Sequence, residues 1–178
     1  MKAKTKSNQM TRLYLFIALF FTSQVTFGQA PSNFTGTWVL NSSKSGSNFA
    51  AISSSVIITQ DLKDNTINLD ITSSAPERDI KKRTESYVLD GKTTIVVGSK
   101  DNFTSTWATW SSDKKKFTIT ELKTVVENGT KKEYKHNSVY SLDNNGETMN
   151  ITLEDMVNVG SISAANSNKI IMVFDKAN

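Results

Sequence analysis

The chain has 178 residues, with 21 Lys and Arg against 17 Asp and Glu, and no cysteine. The missing cysteine excludes disulfides, thiolate metal sites, cysteine nucleophiles and a lipid-modified N-terminal cysteine. The excess positive charge is carried by Lys2, Lys4, Lys6 and Arg12, ahead of any folded domain, so it is no footprint for a nucleic acid, which needs clustered basic groups on the fold.

Residues 1–28 read as a secretory signal peptide. The basic head precedes the nine-residue apolar run LYLFIALFF (13–21), and the polar TSQVTFG follows with a small-residue exit, placing cleavage after Gly28. The run is too short to span a bilayer, which takes roughly 20 residues. Removing the leader leaves 17 basic and 17 acidic residues in 29–178. That is one ordinary domain, long enough to build a core without covalent staples. A secreted or periplasmic, soluble and monomeric product is expected, with no membrane span once the signal is removed.

Alternation then dominates. The first strand, 36–41, carries GTWVL and puts Trp38 and Leu40 on one face. SGSNFAAIS (45–53) interrupts the rhythm with an apolar knot that includes Phe49 and Ile52, suited to covering a barrel mouth. Strands follow at 55–61 and 65–73, where Ile67, Leu69 and Ile71 share a face. ERDIKKR (77–83) is the densest basic stretch, chiefly a solvated approach to an edge, with Arg83 the best candidate contact for an anionic group. Strands at 82–89 and 93–98 flank Asp90-Gly91, a dipeptide fit for a tight hairpin.

The strand at 102–110 holds two tryptophans three apart, which therefore point to opposite faces. Trp110 has the parity of Ala108 and Thr106 and is assigned to core packing. Trp107 is assigned to the other role, exposure or contact with a ligand or partner. Strands at 116–126 and 130–142 come next; the latter includes His136, the only histidine, read as a sheet residue in the absence of partners for a triad or a zinc site. The strand at 147–154 alternates Met149, Ile151 and Leu153, and an irregular stretch at 158–168 leads to a last strand at 169–175. Asp143, Asn144, Asn145 and Gly146 lack the spacing of a calcium loop, and Glu154 and Asp155 point apart as neighbours in a strand.

Roughly ten strands joined by short turns form a meander that closes on itself, which removes sheet edges. The fold class is all-β, an antiparallel up-and-down barrel of about 8–10 strands.

FTGTWVLNSSKS resembles the N-terminal signature of lipocalin-like secreted proteins of the Bacteroidetes type, Phe-x-Gly-x-Trp-x-Leu-Asn followed by Lys-Ser. The likeness continues in YVLDGK (87–92), ATWSSDKKKFTIT (108–120) and YSLDNNGETMNIT (140–152), and covers most of 33–154. The resemblance implies a calycin-like barrel, binding of small hydrophobic molecules, and no shared catalytic residues. It implies that Trp38 closes one barrel end as a structural residue. The late arginine that covers this tryptophan in lipocalins has no counterpart, since only Arg78 and Arg83 follow the leader. The late arginines of intracellular fatty-acid carriers are missing likewise. Avidins also carry Gly-Thr-Trp with polar residues after it, a part that Asn41, Ser42 and Ser45 would imitate.

No phosphate-binding glycine loop or nucleophile elbow is present. The expected function is non-catalytic binding of a small hydrophobic or amphipathic molecule, with Phe49, Ile52, Arg83 and Trp107 as ligand contacts and Trp38 and Trp110 as structural residues. No cofactor and no metal is expected. The alternative is a structural or protein-interaction module of the cell envelope with a filled barrel.

Overall fold

In the computed structural model the described residues are 30–45, 49, 52–76, 78–143, 145–159 and 162–177. The segment read as a leader and its expected cleavage site lie outside them, as does Asn144 of the loop compared with a calcium site. Residues from Pro31 onward form one compact unit.

Ten strands build a single antiparallel sheet: β1 (Gly36–Leu40), β2 (Ser53–Asp61), β3 (Thr66–Ser74), β4 (Lys81–Val88), β5 (Asp90–Gly98), β6 (Asn102–Trp110), β7 (Lys116–Glu127), β8 (Thr130–Leu142), β9 (Thr148–Val159) and β10 (Ile162–Lys176). The strand order is β4-β3-β2-β1-β10-β9-β8-β7-β6-β5. The first and last strands pair, and the two edges are consecutive in sequence. The sheet is therefore a nearly closed antiparallel up-and-down barrel, with its seam between β4 and β5.

That seam corrects the expected hairpin at Asp90-Gly91. The dipeptide lies within β5 and not at a turn between paired strands: Gly91 has φ 77, the Lys92 amide donates to Asp90 Oδ1 at 2.9 Å, and the register to β6 shifts between Asp90 and Thr93. The strands beside it do not pair. Leu89 N–H still donates to the Asn65 carbonyl at 2.9 Å, at the β3 side, while Asp90 already stands opposite Thr109 of β6. The chain crosses from one edge to the other through Leu89.

The irregular stretch expected at 158–168 is also corrected. β9 runs to Val159 and β10 starts at Ile162, with a register shift between Asn166 and Ile170. Serines and alanines there carry no side-chain alternation, yet the backbone ladder does not need one.

Inward parity follows the registers. Trp38 stands opposite Val56 and Lys176, Val56 opposite Ile71, and Ile151 opposite Tyr140 and Met172. The core fills one half of the barrel, where Phe34, Trp38, Ile67, Leu69, Ala108, Phe117 and Met149 are fully buried. Phe34 precedes β1 and plugs this end. Its ring meets Phe117 edge-on at 4.8 Å and Trp110 at 6.1 Å, and its amide donates to Gln60 Oε1 at 2.9 Å. Ser32 N–H reaches the Lys114 carbonyl in the β6–β7 turn at 2.9 Å, so the segment lies across the barrel end.

Candidate functional site: a cavity at the open end of the barrel

The Gly-x-Trp signature acts as a closure between the two terminal strands. Trp38 is buried on β1 and its Nε1–H donates to the Phe34 carbonyl at 3.0 Å. Lys176 Nζ of β10 lies 5.6 Å from the centre of the Trp38 ring, within cation–π reach. A lysine thus takes the place of the late arginine that the resemblance implied. Gly36 has φ 154, and a Cβ there would come within 3.2 Å of the Lys176 side chain.

The polar residues after the tryptophan complete the same closure. Asn41 Nδ2–H donates to Asp175 Oδ2 at 2.6 Å, and Lys44 Nζ pairs with Asp175 Oδ1 at 2.9 Å. Ser45 Oγ donates to the Asn41 carbonyl at 2.7 Å and accepts from Val173 N–H at 2.8 Å. Asn41 and Ser45 thus tie the β1–β2 connection to β10. The Asn41 amide and Lys44 hold the Asp175 carboxyl below the ordinary carboxylate range.

Beyond this packed half the lumen opens. A cavity of about 770 Å³ lies toward the end that holds the β1–β2 connection. Its apolar lining includes Leu40, Val56, Ile71, Ile151, Leu153 and Phe174, and Tyr140 adds a phenol stacked on Phe117 at 4.3 Å. Burial pushes the Tyr140 phenol well above its ordinary pKa, so the floor presents a neutral hydroxyl. Lys81, Lys82 and Arg83 supply the charged part of the wall, and His136 adds an imidazole.

Phe49 and Ile52 both line this cavity from the β1–β2 connection, where Ile52 N–H donates to the Phe49 carbonyl at 3.0 Å. Arg83 joins them from β4, opposite Ile71. Trp107 does not. It alternates with the buried Thr106 and Ala108, so it points away from the lumen, and it lines neither this cavity nor the one beside it. Trp110 points inward against Phe117 at 6.0 Å, and its Nε1–H donates to Asn65 Oδ1 at 2.9 Å.

The sequence reading missed the place of His136. It lines the cavity and also a second one of about 400 Å³, bounded by Thr104, Glu121, Lys123, Tyr134 and Asp155 among others. His136 Nδ1 pairs with Asp155 on β9, whereas Glu154 pairs with Lys169 at 3.3 Å. The two neighbouring carboxylates do point apart. Asp143 accepts from the Glu147 and Thr148 amides at 3.1 and 3.2 Å, so its loop is a self-capped turn. Among the described residues no group of three or more His, Asp or Glu side chains is placed to hold a metal ion, and no helix is long and apolar enough to cross a membrane.

No protein-family model and no curated protein sequence matches the chain. Among solved structures, a mutant of the fluorescent protein UnaG is similar over 81% of this chain and 96% of that one, with 12% identity and a TM-score of 0.44.

Proposed function

We propose that the chain is a non-catalytic carrier that holds one small hydrophobic or amphipathic molecule in the open half of the barrel and works outside the cytoplasm. The observation that carries this reading is the cavity of about 770 Å³ with a largely apolar wall, inside the ~300–1,000 Å³ range of small-molecule sites. A barrel serving as a filled scaffold has no use for that space. The leader-like segment at 1–28, with its basic head and short apolar run, supports the export half of the proposal.

The test is uptake of a neutral lipophilic fluorophore, N-phenyl-1-naphthylamine, by the purified domain 29–178. Saturable uptake at one site is expected. A Leu153→Trp variant, which places an indole in the cavity, should abolish it while keeping a cooperative unfolding transition. Uptake that is absent in the wild type, or unchanged in Leu153→Trp, would return the protein to the filled-module reading. Export is tested separately, by N-terminal sequencing of material secreted from the full chain: a start near Gln29 is expected, and a start at Met1 overturns that half.

A further inference from the structure

We propose that the cargo is an anionic amphiphile bound head-outward, its acidic group at the Lys81–Arg83 end of β4 and its apolar body on the floor around Tyr140 and Phe174. The inference rests on the carrier reading of the same cavity and names the chemistry of its ligand.

Three observations carry it. The first is the sign of the wall. Lys81, Lys82 and Arg83 line the cavity beside the His136 imidazole, and among the described residues no carboxylate does. The chain outside the leader is neutral overall, with equal numbers of basic and acidic residues, so a wall of one sign is a local arrangement.

The second is position along the barrel. Arg83 stands opposite Ile71 and Lys81 opposite Ser73, both cavity-lining residues of β3. Alternation therefore sends Lys81 and Arg83 into the lumen, at the end where β4 begins. Deeper, toward the packed half, the wall changes to Val56, Ile151 and Phe174. An apolar tail is desolvated best on that floor, while a charged head keeps access to water at the rim.

The third is how these groups are engaged. Arg83 Nε is engaged by Glu85 Oε1 at 3.2 Å, and His136 is engaged by Asp155. Lys81 and Lys82 have no ion pair among the described residues. By the alternation that turns Lys81 inward, Lys82 lies on the other face at the rim, so the Lys81 ammonium is the inward one free to meet an anion, and the unused face of the Arg83 guanidinium can add a charge-assisted hydrogen bond. The second cavity offers Glu121 and Asp155 beside Lys123 and Lys135. Its mixed charge gives an acidic head no comparable reason to lie inward.

The experiment compares two fluorophores with the same rings, 1-anilinonaphthalene-8-sulfonate and the neutral N-phenyl-1-naphthylamine, on wild type and on Lys81→Gln/Lys82→Gln. At low ionic strength the double substitution should weaken the sulfonate by about tenfold, the scale of one lost charge-assisted contact, and leave the neutral probe within about twofold. Dodecanoate should displace the bound sulfonate at lower concentration than dodecanol, and added salt should narrow that difference. An equal response of both probes to the double substitution, or equal displacement by acid and alcohol, overturns the anionic head while leaving the carrier intact. Failure of both probes to bind overturns the carrier reading and this inference with it. Unchanged binding of both probes, with oligomers forming in the double variant, would assign the lysines to protection of the free β4 edge and also overturn the proposal. A retained urea midpoint in the double variant shows that folding is not the cause of any loss.

Discussion

At the scale of single residues, the structure turns a short sequence signature into a set of contacts with the last strand. Trp38 was legible as an anchor because it shares a face with Leu40 in an alternating strand. Its partner Lys176 was not, since nothing in the spacing of two residues so far apart relates them before the β1–β10 register is known. Trp38→Ala should cost about 3 kcal/mol or more, as expected when a fully buried large aromatic is removed. Urea unfolding measures it, and a midpoint equal to wild type would refute the closure described above. Trp38→Phe should cost less, since it keeps most of the packing and loses the bond to the Phe34 carbonyl. Asn65 offers a second case. It holds φ 55, accepts from Leu89 N–H with its backbone and from Trp110 Nε1–H with its side chain. Asn65→Gly tolerates the backbone angle but drops the indole bond, so a loss of about 1 kcal/mol is expected in the same assay.

At the scale of elements, most of the ten strands were legible because one face of each is buried, and period-two alternation records that burial in the sequence. Where the sequence carries no such alternation the reading failed, as in the Ser- and Ala-rich start of β10. The Asn128-Gly129 turn between β7 and β8, with φ 51 and 74, is the pairing of angles that favours a tight hairpin, and its dipeptide was present to be read. Gly98, at the end of β5, is a different kind of glycine. It has φ 130, and a Cβ there would overlap the Asn102 carbonyl oxygen and lie 2.7 Å from Phe103 Cα. Backbone cannot yield as a flexible side chain can, so Gly98→Ala should lower the thermal midpoint, whereas Gly146→Ala, with nothing within 4 Å, should show only the smaller penalty of its φ of 71. The junction of β1 and β10 carries a pH dependence. The Asp175 carboxyl is held below its ordinary value by Asn41 and Lys44. Its contribution is therefore fully present above the unfolded value of about 4 and is lost as pH falls through the lower folded value. Asp175→Asn should be less stable than wild type at neutral pH, and the gap should close as unfolding is measured at progressively lower pH below about 4. A gap that stays constant or widens on acidification would show that the Asp175 charge does not stabilise the closure.

At the scale of the whole molecule, the barrel is a chain of paired strands with one interruption. The candidate site became legible in part because Phe49 and Ile52 form an apolar knot among polar connections, and because Arg83 lies in a dense basic stretch. The cavity they border was not legible, since its volume depends on which side chains meet across seven strands and how much space they leave. Nor was the His136–Asp155 pair, which needs the β8–β9 register. The interruption has a dynamic consequence. Each of β2, β3, β6, β7, β8, β9, β10 and β1 is paired on both sides, whereas β4 pairs only with β3 and β5 only with β6. At the closed end the seam is held by Leu89, by Asn65, and by the buried Tyr87. Toward the open end β4 begins with exposed Lys81 and Lys82, and β5 exposes Val96 and Val97. Local opening takes the path with fewest buried contacts and fewest shared backbone bonds, so the barrel should part first along β4 and β5 at that end. Hydrogen exchange at neutral pH should find the seam-facing amides of Lys81–Arg83 and Val96–Gly98 the fastest within the strands, and the central amides of β7 and β8 the slowest, exchanging only with global unfolding. Because the same end of β4 carries the proposed anion contacts, saturating 1-anilinonaphthalene-8-sulfonate should slow exchange there more than in β7. Uniform protection of all ten strands would mean that the seam is held by forces beyond the pairing described, and protection unchanged by the probe would place the probe elsewhere than beside β4.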